Sequence, residues 1–342
     1  MTMKTKTIER YKLTSSPLYR IGRHIDLAGA LLLTRKHLRC LIIKRIAYYN
    51  FRDVTIGGKK RSLAVPIRDM RQVHERLKDL LGRIELPDYL YSPRKHRTPI
   101  KNAAAHRDAS SIVKLDVRQF YPSTTDEHVF QFFKYRLGMA DDIAGRLTKL
   151  CTINGRVPFG SPLSPILCAL VHDDVFSRVA SKCDLNDYTM TLWVDDITIS
   201  GHQVSNRIIR EIQRLLSAKR LIHHKAMRAT TRKGIVITGN FVSTKKVSPA
   251  NKIHLKIRNK LAELKRANTA AQRLVVVRSL IGLTNYSLSV YDGGSQESVR
   301  ARSRRAWLHN YRRELEATAG TVCAPNIEWS ATPFDDSAPW DE

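Results

Sequence analysis

Hydrophobic and polar residues alternate along residues 188–201, YTMTLWVDDITISG, except at two adjacent aspartates in the centre. Threonine, tryptophan and β-branched residues favour strands, so this pattern predicts a β-hairpin with Asp195 and Asp196 at its crest. A tight hairpin turn favours Asn-Gly or Asp-Gly rather than two like charges. The chain contains four Asp-Asp pairs, and only this one lies between two predicted strands. The pair therefore requires a chemical explanation.

The hydrophobic pattern upstream predicts a second hairpin, a helix, a loop and a strand. Residues 51–66, FRDVTIGGKKRSLAVP, form two strand-like runs around a Gly-Gly turn, and helical spacing follows at about 67–81. Three prolines among many basic residues predict a loop over 86–101. Residues 110–117, SSIVKLDV, predict a short apolar strand with Asp116 near its end.

The pattern around and after the central hairpin is mainly helical. It predicts helices at about 125–137, 140–151, 165–180 and 203–219, a Gly/Pro-rich loop at 157–165, and a strand at 234–242. The predicted order of elements in the middle of the chain is therefore β-α-β-β-α-β, which indicates one antiparallel sheet with helices on one face. From Pro249 onward the pattern is helical again, so the predicted fold class is α+β.

The net charge indicates a class of partner. The 342 residues carry a formal charge of +28 and a pI near 10.2, which points to a polyanion, with nucleic acid favoured. A ribosome-associated or simply basic protein, or one bound to acidic lipid, is the alternative. The 42% hydrophobic content is that of a globular chain and argues against a disordered basic tail.

Cysteine spacing and hydropathy argue against several other classes. The five cysteines are scattered, odd in number and lack a C-x-x-C spacing, which argues against a disulfide framework or a structural zinc site. The N-terminus has no apolar segment typical of a secretory signal, and the longest apolar runs, such as LAGALLL at 27–33, are too short to span a bilayer. We therefore predict a reduced, cytoplasmic protein that does not associate with membranes.

Three aspartates are predicted to converge. In a β-α-β-β unit the end of the first strand lies beside the crest of the following hairpin, which places Asp116 next to Asp195 and Asp196. Three carboxylates this close repel and raise one another's pKa unless a cation neutralises them. Two Mg²⁺ ions about 3.5–4 Å apart would do so and would clamp the attacking and leaving oxygens of a phosphoryl transfer. Hard carboxylate oxygens suit Mg²⁺, so the pattern predicts a two-magnesium site.

Several segments together resemble a known enzyme family. KLDVRQFYPS, VPFGSPLSP, LWVDDITISG, HHKAMRAT and GIVITGNFV resemble, in order and spacing, the palm motifs of reverse transcriptases, and KKRSLAVP resembles their fingers motif. NAAAH, from Asn102 to His106, resembles the N-A-x-x-H element of bacterial retron reverse transcriptases, and Ile237–Gly239 matches their V-T-G triplet. The chain is thus identified as a member of the retron-type reverse transcriptases, with the resemblance spanning roughly 51–245.

The resemblance implies a right-hand polymerase with fingers, a palm built on an antiparallel sheet, and a helical thumb. The implied boundaries are a basic helical N-terminal region at 1–50, fingers with the NAAAH element at 51–115, a palm at 116–245 with finger helices inserted at 124–156, a helical thumb at 246–315 and a C-terminal tail at 316–342.

The resemblance also implies roles for individual residues. Asp116, Asp195 and Asp196, with the backbone of Val117, correspond to metal ligands, and Lys225 corresponds to the lysine that protonates the pyrophosphate leaving group. The resemblance implies that Lys60 or Arg61, with Arg68, clamps the triphosphate of the incoming deoxynucleoside triphosphate (dNTP), and that the backbone from Val117 to Phe120 contacts it. Tyr121 corresponds to the steric gate that excludes a 2′-OH. Gly160 and Ser161 correspond to the loop that lies along the nucleotide. Simpler alternatives make Lys225 a surface lysine and Tyr121 a core residue.

Two positions depart from the family pattern. The usual YADD is WVDD here, with Trp193 and Val194, and both substitutions preserve a strand. Phe159 stands where reverse transcriptases usually have a glutamine that touches the sugar and base of the incoming nucleotide. Because phenylalanine cannot hydrogen-bond, substrate preference or processivity is expected to differ.

Basic and aromatic residues provide candidates for contacting RNA. Lys252, Lys256 and Lys260 fall on one face of a predicted helix, while Trp307 and Tyr311, four residues apart, are placed to stack on bases. The full set of RNA-binding candidates is Asn102, His106, Lys252, Lys256, Lys260, Arg304, Arg305, Trp307 and Tyr311. In the simpler interpretation the basic helices are solvated faces, His106 is a hydrogen-bonded histidine and Asn102 caps or turns the chain.

The resemblance implies a retron reverse transcriptase. Such an enzyme would bind a cognate structured noncoding RNA, prime from a 2′-OH in that RNA and copy part of it from dNTPs into RNA-linked single-stranded DNA. A role in anti-phage defence with an effector protein is implied as well. The alternatives are another bacterial reverse transcriptase (defence-associated, intron-derived or CRISPR-associated) and, in a different class, a catalytically inactive RNA-binding scaffold.

Overall fold

A computed structural model describes residues 9–319 except Gly57, Lys225 and Lys245. The predicted tail at 316–342 therefore lies mostly outside the described residues. The helices are α1 (His24–Ala30), α2 (Arg35–Ile43), α3 (Arg68–Gly82), α4 (Pro99–Ala104), α5 (Phe120–Ser123), α6 (Asp126–Gln131), α7 (Asp141–Cys151), α8 (Ser164–Val171), α9 (Asp173–Asp184), α10 (Asn206–Ala218), α11 (Asn251–Arg266), α12 (Ala270–Val290) and α13 (Gln296–Ala319). The strands are β1 (Tyr49–Ile56), β2 (Lys59–Pro66), β3 (Leu90–Ser92), β4 (Ser111–Asp116), β5 (Thr189–Trp193), β6 (Asp196–Gly201), β7 (Met227–Thr230), β8 (Ile235–Ile237), β9 (Asn240–Val242) and β10 (Val247–Pro249).

The described chain divides into two compact units, and both helices and strands contribute to each, as an α+β fold requires. The first unit comprises residues up to Arg97 together with Val113–Arg228. The second comprises Thr98–Ile112 and the described residues from Ala229 onward. The division falls within β4 and β7.

The helices of the first unit form where apolar residues recur at helical spacing. Ser205 caps α10 because its hydroxyl accepts hydrogen bonds from the first free backbone N–H groups, those of Arg207 and Ile208. Ile209, Ile212 and Leu216 then lie on one buried face. On α3 the buried positions Met70, Val73, Leu77, Leu80 and Leu81 show the same spacing. The hydrophobic pattern thus located both helices within one to three residues of their observed ends.

The predicted central hairpin is observed within a five-stranded sheet of order β3-β5-β6-β4-β7. β5 and β6 pair antiparallel, with Leu192 opposite Ile197 and Trp193 opposite Asp196. The prediction of a wholly antiparallel sheet is wrong, because β3 runs parallel to β5. β3 lies inside the segment whose prolines had indicated a loop, and its three residues are too few to show a hydrophobic period.

The strand predicted over 234–242 is also wrong in its extent and position. Its residues form a separate hairpin, β8–β9, in a three-stranded sheet of order β10-β9-β8, while β7 lies next to β4. The two residues between β8 and β9, Thr238 and Gly239, have positive φ angles of 44° and 78°. Positive φ at both central residues is the requirement of a type I′ hairpin turn, so the chain reverses where the apolar run had suggested a continuous strand.

One predicted helix is observed as two. The helix expected over 165–180 is interrupted at His172, which ends α8 and precedes α9. The His172 ring is buried and hydrogen-bonds the hydroxyl of Thr124 at 2.9 Å. Asp173 and Asp174 then occupy the first turn of α9, where carboxylates favour the positive end of the helix dipole. Similarly, α6 is followed by a π-helical turn at Phe132–Arg136 within the predicted 125–137 helix.

The second unit has two hydrophobic clusters. One joins Ala103 of α4 to Ile112, Ile235, Ile237 and Val242 of the neighbouring strands. The other joins α11, α12 and α13, with buried residues that include Ile253, Ile257, Val277, Leu280 and Leu308. Among the described residues, no helix is long and apolar enough to cross a membrane.

Thr238 connects the NAAAH element to the β8–β9 turn. Its hydroxyl donates to the Pro99 carbonyl at 2.8 Å and accepts from the Asn102 amide at 3.4 Å. Thr238→Val keeps the shape but removes both hydrogen bonds, including the one to the buried Asn102 amide, so we expect it to lower the free energy of unfolding by about 1–3 kcal/mol. Thr189→Val, at an exposed strand position, is the matched control and should change it by less than about 0.5 kcal/mol. Urea unfolding of both variants measures the difference, and equal effects would contradict a bridging role for Thr238.

Candidate active site

The crest of the β5–β6 hairpin carries backbone strain. Val194 and Asp195 connect the paired residues Trp193 and Asp196, and Val194 has a φ of 56°. A β-branched residue is strongly disfavoured in this left-handed region. Its N–H donates to the Ser92 carbonyl at 3.2 Å, and its side chain packs against the main core. The crest is therefore held in a strained conformation by the elements around it.

A backbone hydrogen bond brings the end of β4 to this crest. The Val117 N–H donates to the Asp195 carbonyl at 3.1 Å, which places Asp116 beside the aspartate pair. The Arg118 N–H donates to the Ile222 carbonyl at 2.7 Å. Both N–H groups are therefore used within the protein, and the triphosphate contact of the backbone from Val117 to Phe120 stays a prediction.

The three aspartates influence one another electrostatically. Burial, followed by repulsion from Asp196 and Asp116, raises the pKa of Asp195 to about 8, while Arg61 acts in the opposite direction. Burial also raises the pKa of Asp196, with attraction to Lys114 opposing the repulsion from Asp116. At neutral pH the crest therefore favours bound protons or a bound cation over free carboxylates.

Two basic residues that interact with the aspartates, His224 and Lys114, were not among the predicted site residues. His224 Nε2 lies 3.7 Å from Asp116 Oδ2, and the His224 N–H donates to the Asp116 carbonyl at 2.9 Å. Lys114 precedes Asp116 by two residues on β4 and acts on Asp196. The signals were the HHK segment at 223–225 and the period of the strand, which places alternate residues on one face. Lys225 itself lies outside the described residues.

The donor set of the site consists of carboxylate oxygens. Within the described part of the chain, no group of three or more His, Cys, Asp or Glu side chains is arranged to hold a metal ion. The aspartates thus lie close enough to shift the pKa of Asp195 without forming a coordination shell. Oxygen donors with mutual repulsion are chemically suited to a hard divalent cation.

Tyr121 and Phe120 occupy different environments although they are adjacent. Gln119, with a φ of 50°, precedes α5 and turns the chain so that Phe120 is buried against Phe176, with ring centroids 6.1 Å apart. Tyr121 is partly buried, and its ring centroid lies 5.8 Å from that of Phe159. Phe120 therefore anchors the segment in the core, while Tyr121 faces the Gly/Pro-rich loop.

The loop at 157–165 is held from two sides. The Ala64 N–H of β2 donates to the Phe159 carbonyl at 2.8 Å. Gly160 has a φ of 109°, and a β-carbon there would lie 3.1 Å from Val65 Cγ2, so a glycine is needed. The buried hydroxyl of Ser161 lies 2.6 Å from Nδ1 of His74.

His74 links Ser161 to the end of α7. Its Nε2 lies 2.8 Å from the Leu150 carbonyl, which can only accept, so Nε2 donates and Nδ1 accepts from the Ser161 hydroxyl. The His74 ring is fully buried, and burial lowers its pKa to about 4. His74 lies on the buried face of α3, and its partner Ser161 is 87 residues away in the chain.

The three predicted clamp residues differ in their surroundings. Lys60 and Arg68 are exposed, and Arg68 has a φ of 48° at the first residue of α3. Arg61 is partly buried, and its guanidinium carbon lies 5.5 Å from the Phe159 ring centroid. Arg61 also lowers the pKa of Asp195, so it is coupled to the aspartates as well as to the loop.

The predicted RNA-binding residues lie in the second unit. Asn102 and His106 are buried, and burial lowers the pKa of His106 to about 4, so the structure favours a structural role for both over RNA contact. Trp307 is 50% exposed, and its ring stacks on Tyr311 at 5.6 Å with an interplanar angle of 10°. The remaining candidates lie on helices: Lys252, Lys256 and Lys260 on α11, and Arg304 and Arg305 on α13.

Comparison with known proteins identifies a matching family model and several relatives of this chain. Residues 54–233 match the family model described as Reverse transcriptase (RNA-dependent DNA polymerase). Retron Se72 reverse transcriptase of Salmonella heidelberg is 28% identical over 179 residues, 52% of this chain and 47% of that protein. Retron Ec86 reverse transcriptase of Escherichia coli is 26% identical over 250 residues, 69% of this chain and 76% of that protein. Retron Mx65 reverse transcriptase of Myxococcus xanthus is 29% identical over 181 residues, 46% of this chain and 41% of that protein.

The match spans about half the length of the Se72 and Mx65 relatives. Among solved structures, an apo telomerase from Candida tropicalis, truncated from the C-terminal domain, aligns at a TM-score of 0.40 and 11% identity. That alignment covers 64% of this chain and 60% of the telomerase chain and is too distant to support a conclusion. The sequence relatives confirm the predicted resemblance to retron reverse transcriptases.

The His74 environment predicts an acid-sensitive fold. The pKa of His74 is about 4 in the folded protein, below the ordinary histidine value of 6.5 expected for the unfolded chain. As the pH falls, a proton therefore binds this histidine in the unfolded chain before it binds in the folded protein. The contribution of His74 to the free energy of unfolding is fully present above pH 6.5 and is lost as the pH falls towards 4. His74→Gln should reduce the slope of unfolding free energy between these pH values by up to about 1.4 kcal/mol per pH unit. Urea unfolding at several pH values measures this slope; the exposed His202→Gln control should leave it unchanged, and an unchanged slope in His74→Gln would refute the assignment.

Proposed function

The chain belongs to the reverse transcriptase family, and we propose that it acts as an RNA-directed DNA polymerase of the retron type. It would copy part of a cognate structured noncoding RNA into single-stranded DNA that starts from a 2′-OH of the same RNA. The observation that carries this proposal is the backbone bond between Val117 and Asp195, which gathers the three aspartates inside the matched segment. The retron relatives support the choice of class.

Asp116, Asp195 and Asp196 would hold magnesium through their carboxylate oxygens. Two bound Mg²⁺ ions would supply positive charge to the attacking hydroxyl and to the pyrophosphate leaving group. The protein contributes a crest with Asp195 and Asp196 and keeps Asp116, at the end of β4, beside them despite their repulsion. Because the pKa of Asp195 is raised, its carboxyl takes up a proton more readily than an ordinary aspartate, and ligand capacity at this residue increases with pH.

The incoming dNTP would lie between the clamp and the gate. Arg61 would attract the triphosphate, and Tyr121 would exclude a ribose 2′-OH by its bulk. The loop from Phe159 to Ser161 would lie along the nucleotide, held by Ala64 and His74. Lys225 would protonate the leaving group, as the family resemblance implies.

The right-hand architecture is proposed on the same basis. The β1–β2 hairpin would belong to the fingers, the five-stranded sheet to the palm and helices α11–α13 to the thumb. The boundaries predicted at 51–115, 116–245 and 246–315 remain proposals. Thr98–Ile112, with the NAAAH element, belongs to the second compact unit.

The proposed RNA partner fits the charge of the chain. A formal charge of +28 favours a polyanion, and binding through phosphates would be strongly salt-dependent. The stacked Trp307–Tyr311 pair, flanked by arginines on α13, would add a platform for an unpaired base. A location in the cytoplasm is proposed from the scattered cysteines, whereas an effector protein and a role in anti-phage defence are proposed from the family resemblance.

The first test is to identify the nucleic acid that the protein makes. The chain is expressed with its native flanking DNA and purified, and the bound nucleic acid is extracted and treated separately with RNase and DNase. We expect a discrete DNA species joined to RNA, which is lost in Asp195→Asn/Asp196→Asn because the metal-binding carboxylates are removed. Asp141→Asn/Asp142→Asn, an exposed aspartate pair with the same change in charge, is the matched control and should retain the product.

Each other outcome has a defined meaning. RNA alone in all samples would contradict polymerase activity and favour the inactive RNA-binding scaffold. DNA without a linkage to RNA would contradict the retron class and favour another bacterial reverse transcriptase.

The aromatic platform predicts separable effects on RNA binding. Trp307→Ala should weaken binding of the copurified RNA by about fivefold or more, with an unchanged salt slope, because base stacking contributes about 1–3 kcal/mol per base. Arg305→Gln, at an exposed position on the same helix, should instead reduce the salt slope by about one ion. Tyr135→Ala, at an aromatic residue that is 70% exposed in the first unit, is the control for loss of a surface ring. Filter binding at several salt concentrations measures both quantities, and unchanged affinity in Trp307→Ala would exclude the platform.

A further inference from the structure

Phe159, the main departure from the family pattern, contacts two residues of the proposed nucleotide site. The Arg61 guanidinium carbon is 5.5 Å from the Phe159 ring centroid. The Tyr121 and Phe159 rings are tilted, with centroids 5.8 Å apart and an interplanar angle of 30°. All three side chains are partly buried and belong to the first unit.

The backbone at Pro158 and Phe159 is held by hydrogen bonds that do not involve the Phe159 ring. The Phe159 carbonyl accepts from Ala64, and the Pro158 carbonyl accepts from the Ser164 hydroxyl at 2.6 Å. Two residues further along, Ser161 is bonded to His74. A change of side chain at Phe159 therefore removes the ring contacts while these backbone contacts remain.

The ring is the contact that orients Arg61. Among the described residues, Arg61 forms no ion pair with a carboxylate, although its charge acts on Asp195. A guanidinium over an aromatic ring and a pair of aromatic rings each shift an equilibrium by about twofold to tenfold. A glutamine at this position could hydrogen-bond a nucleotide but would offer no aromatic face to either neighbour.

We propose that Phe159 is a positioning residue that orients both Arg61 and Tyr121, and that it thereby sets triphosphate affinity and the selection of deoxyribose over ribose. This proposal rests on the proposed function, because Arg61 and Tyr121 are the clamp and gate of that reaction. The polar contact that glutamine makes in the family is replaced by contacts of the Phe159 ring with Arg61 and with Tyr121. Sugar selection then depends on how rigidly Phe159 supports the Tyr121 ring.

The test separates ring contacts from apolar bulk. Phe159→Leu keeps the apolar volume without a π face, whereas Phe159→Tyr keeps the ring. Phe51→Leu is the matched control, because Phe51 is a half-exposed aromatic on β1 whose ring neighbour is Tyr49. Single-nucleotide incorporation of dATP and ATP, which differ only in the 2′-OH, on a primed RNA template gives kcat and KM for each protein.

We expect Phe159→Leu to raise the KM for dATP by about threefold to tenfold and to reduce the preference for dATP over ATP by a similar factor. Phe159→Tyr should restore both values, and Phe51→Leu should match the unmodified protein. A general loss of structure would lower kcat for both nucleotides and leave their ratio unchanged. Unchanged KM and unchanged preference in Phe159→Leu, or an equal loss for both nucleotides, would overturn the proposal while the polymerase assignment stands.

A binding measurement keeps the two proposals distinguishable. The dissociation constants for dATP and ATP are measured in the presence of Mg²⁺ without primer or template. If the protein incorporates no nucleotide but Phe159→Leu still lowers the affinity for dATP relative to ATP, the proposed function fails and the role of Phe159 stands. If the protein neither incorporates nor binds either nucleotide, both are overturned.

Discussion

The backbone hydrogen bond from Val117 to Asp195 is the interaction on which the candidate site depends, because it brings Asp116 beside Asp195 and Asp196. Burial, and then repulsion from Asp196 and Asp116, raises the pKa of Asp195. The crest that carries Asp195 and Asp196 also contains a valine in the left-handed region. Both features cost stability, which the apolar core beneath the sheet offsets. Like charges and backbone strain at one place are typical of sites that are shaped for a ligand.

Contacts from β2 and α3 hold the loop at 157–165 in place. The Ala64 N–H donates to the Phe159 carbonyl, and the buried His74 accepts from the Ser161 hydroxyl. Ala64 lies on β2, which also carries Arg61, so one strand positions both the loop and the basic residue. The departure at Phe159 fits this arrangement, because an aromatic ring can contact Arg61 and Tyr121 at the same time.

The two features that suggested a retron enzyme contact each other in the second unit. Asn102 belongs to the NAAAH element and Thr238 to the triplet at 237–239, and the two are joined by a hydrogen bond. Asn102 and His106 are buried, which favours a role in stabilising this unit. Exposed RNA-binding candidates lie instead on α11 and α13, where lysines, arginines and the stacked aromatic pair occur.

The sequence alone predicted the α+β class, the two hairpins around 49–66 and 189–201, and the helices α3 and α10, because alternation and helical spacing are local signals. It also indicated that Asp116 would approach the Asp195–Asp196 pair, since a strand and a following hairpin in one sheet must lie side by side. Only the tertiary structure decided that β3 runs parallel to β5, that the chain turns at Thr238–Gly239, and that His74 binds Ser161, 87 residues away. Local periodicity reports which face of an element is buried, but the partner on that face and the backbone angles at a turn depend on segments far away in the chain.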